Sequence, residues 1–244
     1  MKKVLLALLL CVSILGFSQD KVLLRLNYEK GDNYEIKTVM NQDMGELMDM
    51  GISMTMNLSV TNVEDDNIVT EATFSKIKMT MDYMGQSMVY DSTMDESEMD
   101  EFAKGAHSEM KKLMETVMII ENDKLGNIKD TEIKTGLADV SSFKDNMSGM
   151  VYPEEAVEVG SKWSASKEQK GMSIESTYEV TSITEDTVEI KVTGTIAGAS
   201  EGTLNGKSSI EIKTGNVIKS EVNMTFSIEG QEVKSDVVIT SVKK

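Results

Sequence analysis

The stretch Met48-Asp49-Met50-Gly51-Ile52-Ser53-Met54-Thr55-Met56-Asn57-Leu58-Ser59-Val60 decides the fold. Every even position is apolar and every odd position is polar or glycine. Side chains of a strand alternate between its two faces, so this segment reads as a strand with one face on a core and the other in water. Its thirteen residues would extend about 43 Å, far beyond an ordinary strand of roughly 5–6 residues. Strands this long twist and coil when they share a sheet, towards a barrel or half-barrel.

The same period continues outward. Val22, Leu24, Leu26 and Tyr28 share a face before a turn at Gly31-Asp32, and Tyr34, Ile36, Thr38 and Met40 continue it. Glu64-Asp65-Asp66-Asn67 is a polar hairpin turn. Ile77, Met79, Met81 and Tyr83 line the following strand, which ends at Met84-Gly85. The last third reads as a β-meander over 174–183, 188–196, 204–212, 217–228 and 233–242. Its turns are Thr184-Glu185-Asp186, Thr214-Gly215-Asn216 and Glu229-Gly230-Gln231. Beyond the N-terminal run, proline occurs only at Pro153, so little interrupts ladder hydrogen bonding.

Two segments have helical spacing. Over 94–117, Met99, Phe102, Ala103, Ala106, Met110, Leu113, Met114 and Val117 recur at intervals of three and four. Asp95, Glu96, Glu98, Asp100 and Glu101 crowd its start, and Lys111 and Lys112 lie near its end, as the helix dipole favours. A second, shorter helix is predicted over 139–150, with Val140, Phe143 and Met147 on one side.

The expected fold is therefore mainly β: a long curved antiparallel sheet, as a half-barrel or two related β halves, with one long amphipathic helix on its concave face and one short helix. Residues 19–150 form one half with the helical insertion, and 151–244 the meander half. Gly31-Asp32-Asn33-Tyr34 matches Gly160-Ser161-Lys162-Trp163, Glu64-Asp65-Asp66 matches Glu185-Asp186, and Lys124-Leu125-Gly126-Asn127-Ile128 matches Lys213-Thr214-Gly215-Asn216-Val217. A duplicated unit with the long helix inserted in its first copy would give this pattern, and so would independent reuse of turn residues.

Residues 1–18 read as a cleaved secretory signal. Met1-Lys2-Lys3 is positive, Val4 to Leu15 is apolar, and Gly16-Phe17-Ser18 places small residues at −3 and −1 before Gln19. The run is shorter than the roughly 20 residues a membrane span needs, and no later segment is apolar enough to span. Leu8, Leu9 and Leu10 precede Cys11, which lies inside the apolar run. Both features argue for simple cleavage over lipid attachment. The expected location is periplasmic or extracellular. Cleavage removes the one cysteine, so neither disulfide nor thiolate chemistry is expected. It also removes Lys2 and Lys3 and no acid, which takes the net charge from −16 to −18. That surface repels phosphate backbones and anionic lipid headgroups, so no nucleic acid is expected as a partner.

The signal, the Gly31-x-x-Tyr34 opening, the Pro153-x3-Val157-x2-Gly160-x2-Trp163 stretch and the closing meander together resemble an uncharacterised family of secreted envelope proteins from Gram-negative bacteria. The resemblance implies location and a β-rich fold, and no activity. The architecture is also similar, more distantly, to the half-barrels of periplasmic lipid and lipoprotein carriers.

Methionine is the compositional outlier, with 20 in the chain. Met48, Met50, Met54, Met56, Met79 and Met81 would line one sheet face, with Met110 and Met114 on the helix above it as plug or lid. Three readings follow. Methionine fills irregular cores, and few aromatics compete for that role here. A Met-lined concavity adapts to apolar ligands, a lipid among them. Thioethers also select Cu(I), and His107, Met110 and Met114 fall at i, i+3 and i+7. Against copper, His107 reads rather as a helix-boundary residue, and strand methionines two apart lie about 6.6 Å from each other at Cα.

No phosphate loop, His-Glu-x-x-His motif or nucleophile elbow is present, and one histidine limits triad chemistry. The acidic run Asp91 to Glu101 lacks a calcium-loop pattern. No catalytic residue and no cofactor is expected. The sequence points to a non-enzymatic exported protein that binds an apolar ligand or lipid. The alternatives are an interaction module with a closed core and an envelope protein as partner, or a Cu(I) binder.

Overall fold

The alternation over Met48–Val60 becomes half of a long hairpin: β2 (Met48–Glu64) and β3 (Asn67–Tyr83) face each other across Asp65-Asp66. The computed structural model describes residues 21–45, 48–136, 149–169, 171–228 and 230–244. The expected signal at 1–18 lies outside these residues, as does the short helix at 139–150 except for Gly149 and Met150, which are not helical.

The remaining strands are β1 (Asn33–Asp43), β4 (Gln86–Asp91), β5 (Val117–Asn122), β6 (Ile128–Thr135), β7 (Lys162–Gln169), β8 (Met172–Ile183), β9 (Thr187–Gly198), β10 (Gly202–Glu211), β11 (Val217–Ile228) and β12 (Gln231–Lys243). They form one 12-stranded antiparallel sheet in the order β6-β5-β3-β2-β1-β12-β11-β10-β9-β8-β7, with β4 paired to the far end of β3. The sheet is open, with β6 and β7 at its margins. Its centre joins the two ends of the chain: Met40 faces Val237 and Thr38 faces Ile239 in the β1–β12 ladder.

One irregularity explains a shift in the pattern. Thr55 faces Lys76 while Met56 faces Phe74, so Ser75 is extra on β3. The bulge moves the core-facing set from Ile68, Ala72 and Phe74 to Ile77, Met79 and Met81. The expected alignment of Ile77, Met79, Met81 and Tyr83 on one face holds, although Tyr83 at the tip is 46% exposed.

The expected helix over 94–117 is shorter. The helix α1 runs Glu101–Met114, preceded by a single 3-10 turn at Glu96–Glu98. The acids that suggested one long helix act as caps. The Asp95 carboxylate accepts from the Ser97 N–H at 2.9 Å, and Asp100 accepts from the Ala103 N–H at 2.7 Å. Met99 between them is extended, and Val117 already belongs to β5. α1 packs on β3 and β4, burying Ala103 and Leu113. None of the described helices is long and apolar enough to cross a membrane.

A second correction concerns residues 22–28. They alternate as expected, with Leu24 buried and Leu23 exposed, but they form no ladder. Val22 exchanges two hydrogen bonds with Val157 at 2.8 Å. The Leu26 N–H donates to the Lys124 carbonyl, and the Asn27 N–H to the Thr214 carbonyl, both at 2.8 Å. This extended segment thus ties the β5–β6 turn to the β10–β11 turn.

The packing forms two cores. The first lies between β1–β5 and α1, and holds Tyr34, Leu58, Ile68, Phe74, Ile77, Tyr90, Met99, Leu113 and Met118. The second lies on β8–β10, closed by Leu24, Tyr152 and Val157 from the extended segments. Each half enters through the same backbone device. The Gly31 N–H donates to the Val60 carbonyl at 2.9 Å and the Val60 N–H to the Asp32 carbonyl at 2.8 Å. The Gly160 N–H donates to the Val180 carbonyl at 2.8 Å and the Val180 N–H to the Ser161 carbonyl at 3.0 Å. Gly31 and Gly160 have φ of 96° and 90°, a region that disfavours side chains. A bulge follows at Thr61 and again at Thr181, whose hydroxyls donate to Val69 and Glu189 carbonyls, each at 3.1 Å.

Candidate ligand-binding face

Cross-strand register builds the site from single residues. Directly paired residues point to the same face of a sheet. Starting from Tyr90 on β4, the pairing runs Met79, Ile52, Met40, Val237, Val222, Gly206, Val192, Tyr178 and Trp163. This is an unbroken apolar row across ten strands, interrupted in side-chain size only at Gly206. Its two ends are fixed. Tyr90 is fully buried under α1, and Trp163 stacks on Tyr178 with ring centroids 5.4 Å apart while its indole N–H donates to the Val151 carbonyl at 2.8 Å.

The middle of the row differs from its ends. Met40, Met50, Ile52, Phe226, Val237 and Ile239 are half-exposed and pack against neither core. They lie on β2, β1, β12 and β11, the strands between the two cores. The result is an apolar strip in the centre of the sheet that α1 does not reach, because α1 contacts β3 and β4.

The expected methionine cluster divides here. Met54, Met56, Met79, Met110 and Met114 pack around the first core. Met48, Met50 and Met81 belong to neither core, and Met50, Met81 and Met88 face one another across β2, β3 and β4. The residues of the strip on β11 and β12 were not singled out from sequence. Their own alternation over 217–228 and 233–242 places them on one face, but only the β1–β12 pairing brings that face beside the methionines.

His107 is in the interior of α1, not at its boundary. Its Nδ1 lies 3.4 Å from the Tyr90 hydroxyl and its Nε2 3.1 Å from a Glu96 carboxylate oxygen. Both ring nitrogens thus have protein partners, which pin the 3-10 turn and α1 to β4. Among the described residues, no group of three or more His, Cys, Asp or Glu is arranged to hold a metal ion.

At the same end of β1–β3 and β12 a hollow of about 330 Å³ is lined by Asn41, Asp49, Thr80 and Asp236 from the opposite face and by Gln42, Met50 and Met81 from the strip's own face. Gly51 also lines it, and a Cβ there would meet the Thr80 hydroxyl at 2.6 Å.

Residues 138–238 match the model of a family of unknown function, DUF6263. The match covers β7 to β11 and part of β12, and is consistent with the resemblance drawn from the strand-opening motifs. No curated protein sequence matches the chain. A solved structure described as lipid–protein interactions in lipovitellin is similar at a TM-score of 0.58 and 8% identity, over 89% of this chain and 25% of that one. This chain therefore spans about a quarter of the lipovitellin chain's length. At that identity the likeness is one of fold. A DUF1329 family protein from Desulfovibrio piger aligns over 88% of this chain and 85% of its own at 9% identity, with a TM-score of only 0.22.

Proposed function

We propose that this protein is a non-catalytic lipid-binding protein that works outside the cytoplasm after export, holding the acyl part of its ligand on the strip between its two cores. The half-exposed apolar strip of Met40, Met50, Ile52, Phe226, Val237 and Ile239 carries this reading. Exposed apolar surface in a contiguous patch is a liability unless something covers it, and an open sheet presents it in a form that an acyl chain can lie along. Met40 and Met50 within the strip, with Met81 paired to Met50, let its surface repack around chains of different shape. The signal-like N terminus supports export. The absence of a catalytic motif from the sequence supports a binding role. The fold shared with lipovitellin, whose structure is described for its lipid interactions, adds support of a weaker kind, since a fold hosts many functions.

The test is protein purified from its own envelope, extracted with organic solvent and weighed intact by native mass spectrometry. Bound lipid near one per chain is expected. In vitro, a fluorescent C16 fatty acid should bind, and Met40→Gln combined with Val237→Thr should weaken it at least tenfold with little change in melting temperature, because both residues lie outside the cores. Absence of lipid from the extract together with absence of probe binding would remove the reading.

A further inference from the structure

One row towards the hairpin tips from the apolar row, the strip contains a polar step. Gln42 on β1 faces Ser235 on β12, which faces Met224 on β11. Met50 lies beyond Gln42, and Leu204 beyond Met224. Ser235 is fully buried, and its hydroxyl has no hydrogen-bond partner among the described residues. Other buried hydroxyls on this side of the sheet are satisfied. Ser208 pairs with Ser220 at 2.9 Å, Ser241 accepts from the Asn216 amide at 2.9 Å, and Thr70 donates to the Ile120 carbonyl at 3.3 Å. A buried donor left unmade is destabilising and calls for an explanation such as a missing ligand, which would reach Ser235 by displacing the partly buried side chains of Gln42 and Met224 on the strands either side.

Resting on the lipid-binding reading above, we propose that Ser235 is the polar anchor of the strip, donating its hydroxyl hydrogen bond to the acyl carbonyl of a bound lipid. The carbonyl is the one acceptor that travels with an acyl chain, in a free fatty acid as the carboxyl and in a glycerophospholipid as the ester. The half-exposed Gln42 amide, one strand across, supplies a second donor to the same oxygen or its neighbour. Two residues either side on β12, the buried Val233 and the partly buried Val237 flank the contact with apolar surface. In such surroundings a single hydrogen bond discriminates well between a ligand that has the acceptor and one that lacks it.

The experiment compares three probes on full-length mature protein: hexadecanoic acid, palmitoyl lysophosphatidylethanolamine, and its ether-linked hexadecyl analogue, which lacks the carbonyl. Wild type should bind the ester about three- to tenfold more tightly than the ether. Ser235→Ala should erase that ratio and leave ether binding unchanged. If Ser235→Ala weakens the fatty acid but wild type treats ester and ether alike, the anchored carbonyl is the carboxyl. A ratio that survives Ser235→Ala, or equal binding of ester and ether with no effect of the variant on the fatty acid, overturns the anchor while lipid binding stands. Failure of all three probes overturns both. Ligand-free Ser235→Ala should melt at or above the wild-type temperature, because it removes an unsatisfied hydroxyl; a clear fall would reveal a partner within the fold and overturn the anchor as well.

Discussion

The two halves of the sheet start alike and finish differently. Each opens with a left-handed glycine, a reciprocal backbone pair to a valine, and a bulge one residue later. In the second half β9 then passes directly to β10. In the first half β4 and α1 are inserted between β3 and β5, and α1 closes the core from within that half. The second core is instead closed by chain from elsewhere: Leu24 from the N-terminal segment and Tyr152 and Val157 from the link before β7. The same sheet thus carries two covers of different origin, and the strip is what lies between their edges.

If the covers are separate devices, each should fail locally. Tyr152 is 3% exposed and its hydroxyl donates to the Gly215 carbonyl at 2.6 Å. Tyr152→Ala is expected to cost about 3–5 kcal/mol and to expose amides of β8–β10 first. Leu113, 4% exposed on α1, is the counterpart. Leu113→Ala should cost about 2–4 kcal/mol and loosen β3 and β5 first. Urea denaturation supplies the magnitudes, and hydrogen exchange resolved by peptide supplies the location. Uniform loss of protection in both variants would break the comparison and make the sheet one cooperative unit.

A smaller effect sharpens the same contrast. Asp100 caps α1 through the Ala103 N–H. Asp100→Ala should cost about 1 kcal/mol, read by urea denaturation, and fray α1 without touching β8–β10. An equal cost with no change in exchange of residues 101–106 would show that the cap is held by the fold and not the reverse.

This comparison also shows what the sequence could and could not disclose. Strands of the meander are legible to within two residues, because each has one buried and one solvated face and a polar turn at its end. The hairpin of β2 and β3 is equally plain. The short strands β4, β5 and β6 were not legible, nor were three further features. The alternation of Val22 to Tyr28 reports burial on one side, which an extended segment bonded to two loops satisfies as well as a strand does. The acids before α1 fit a dipole-matched first turn and equally fit two caps, and only the backbone geometry of Met99 separates these. The β1–β12 ladder depends on long-range closure, so nothing local placed Val237 beside Met40 or Ser235 beside Gln42. The methionines divide between the first core and the strip, and the position of the strip follows from where each cover ends.

The mildest test uses one chemical difference between the matched openings. Asp32 and Ser161 occupy the same place, and each side chain accepts from a backbone N–H three residues earlier: Glu29 to Asp32 at 3.1 Å, Glu158 to Ser161 at 2.9 Å. Only Asp32 titrates. Burial pushes its carboxyl up, but the Lys243 ammonium at 2.7 Å, the Glu29 N–H and the Tyr34 hydroxyl at 3.3 Å outweigh burial and hold it below the ordinary carboxylate range. A folded value below the unfolded one, about 3.9, contributes stability that is fully present above that pH and is lost as pH falls through the folded value. The gap in urea midpoint between wild type and Asp32→Asn should therefore stay constant from pH 7 to 5 and narrow below about pH 4. Over the same range the Gly31 and Val60 amides should lose exchange protection before those of Gly160 and Val180. Asp32→Ser gives the first opening the chemistry of the second, and should make the two pairs respond to acid together. If they already do so in wild type, the charge at Asp32 does not distinguish the halves, and their difference in stability rests on the covers alone.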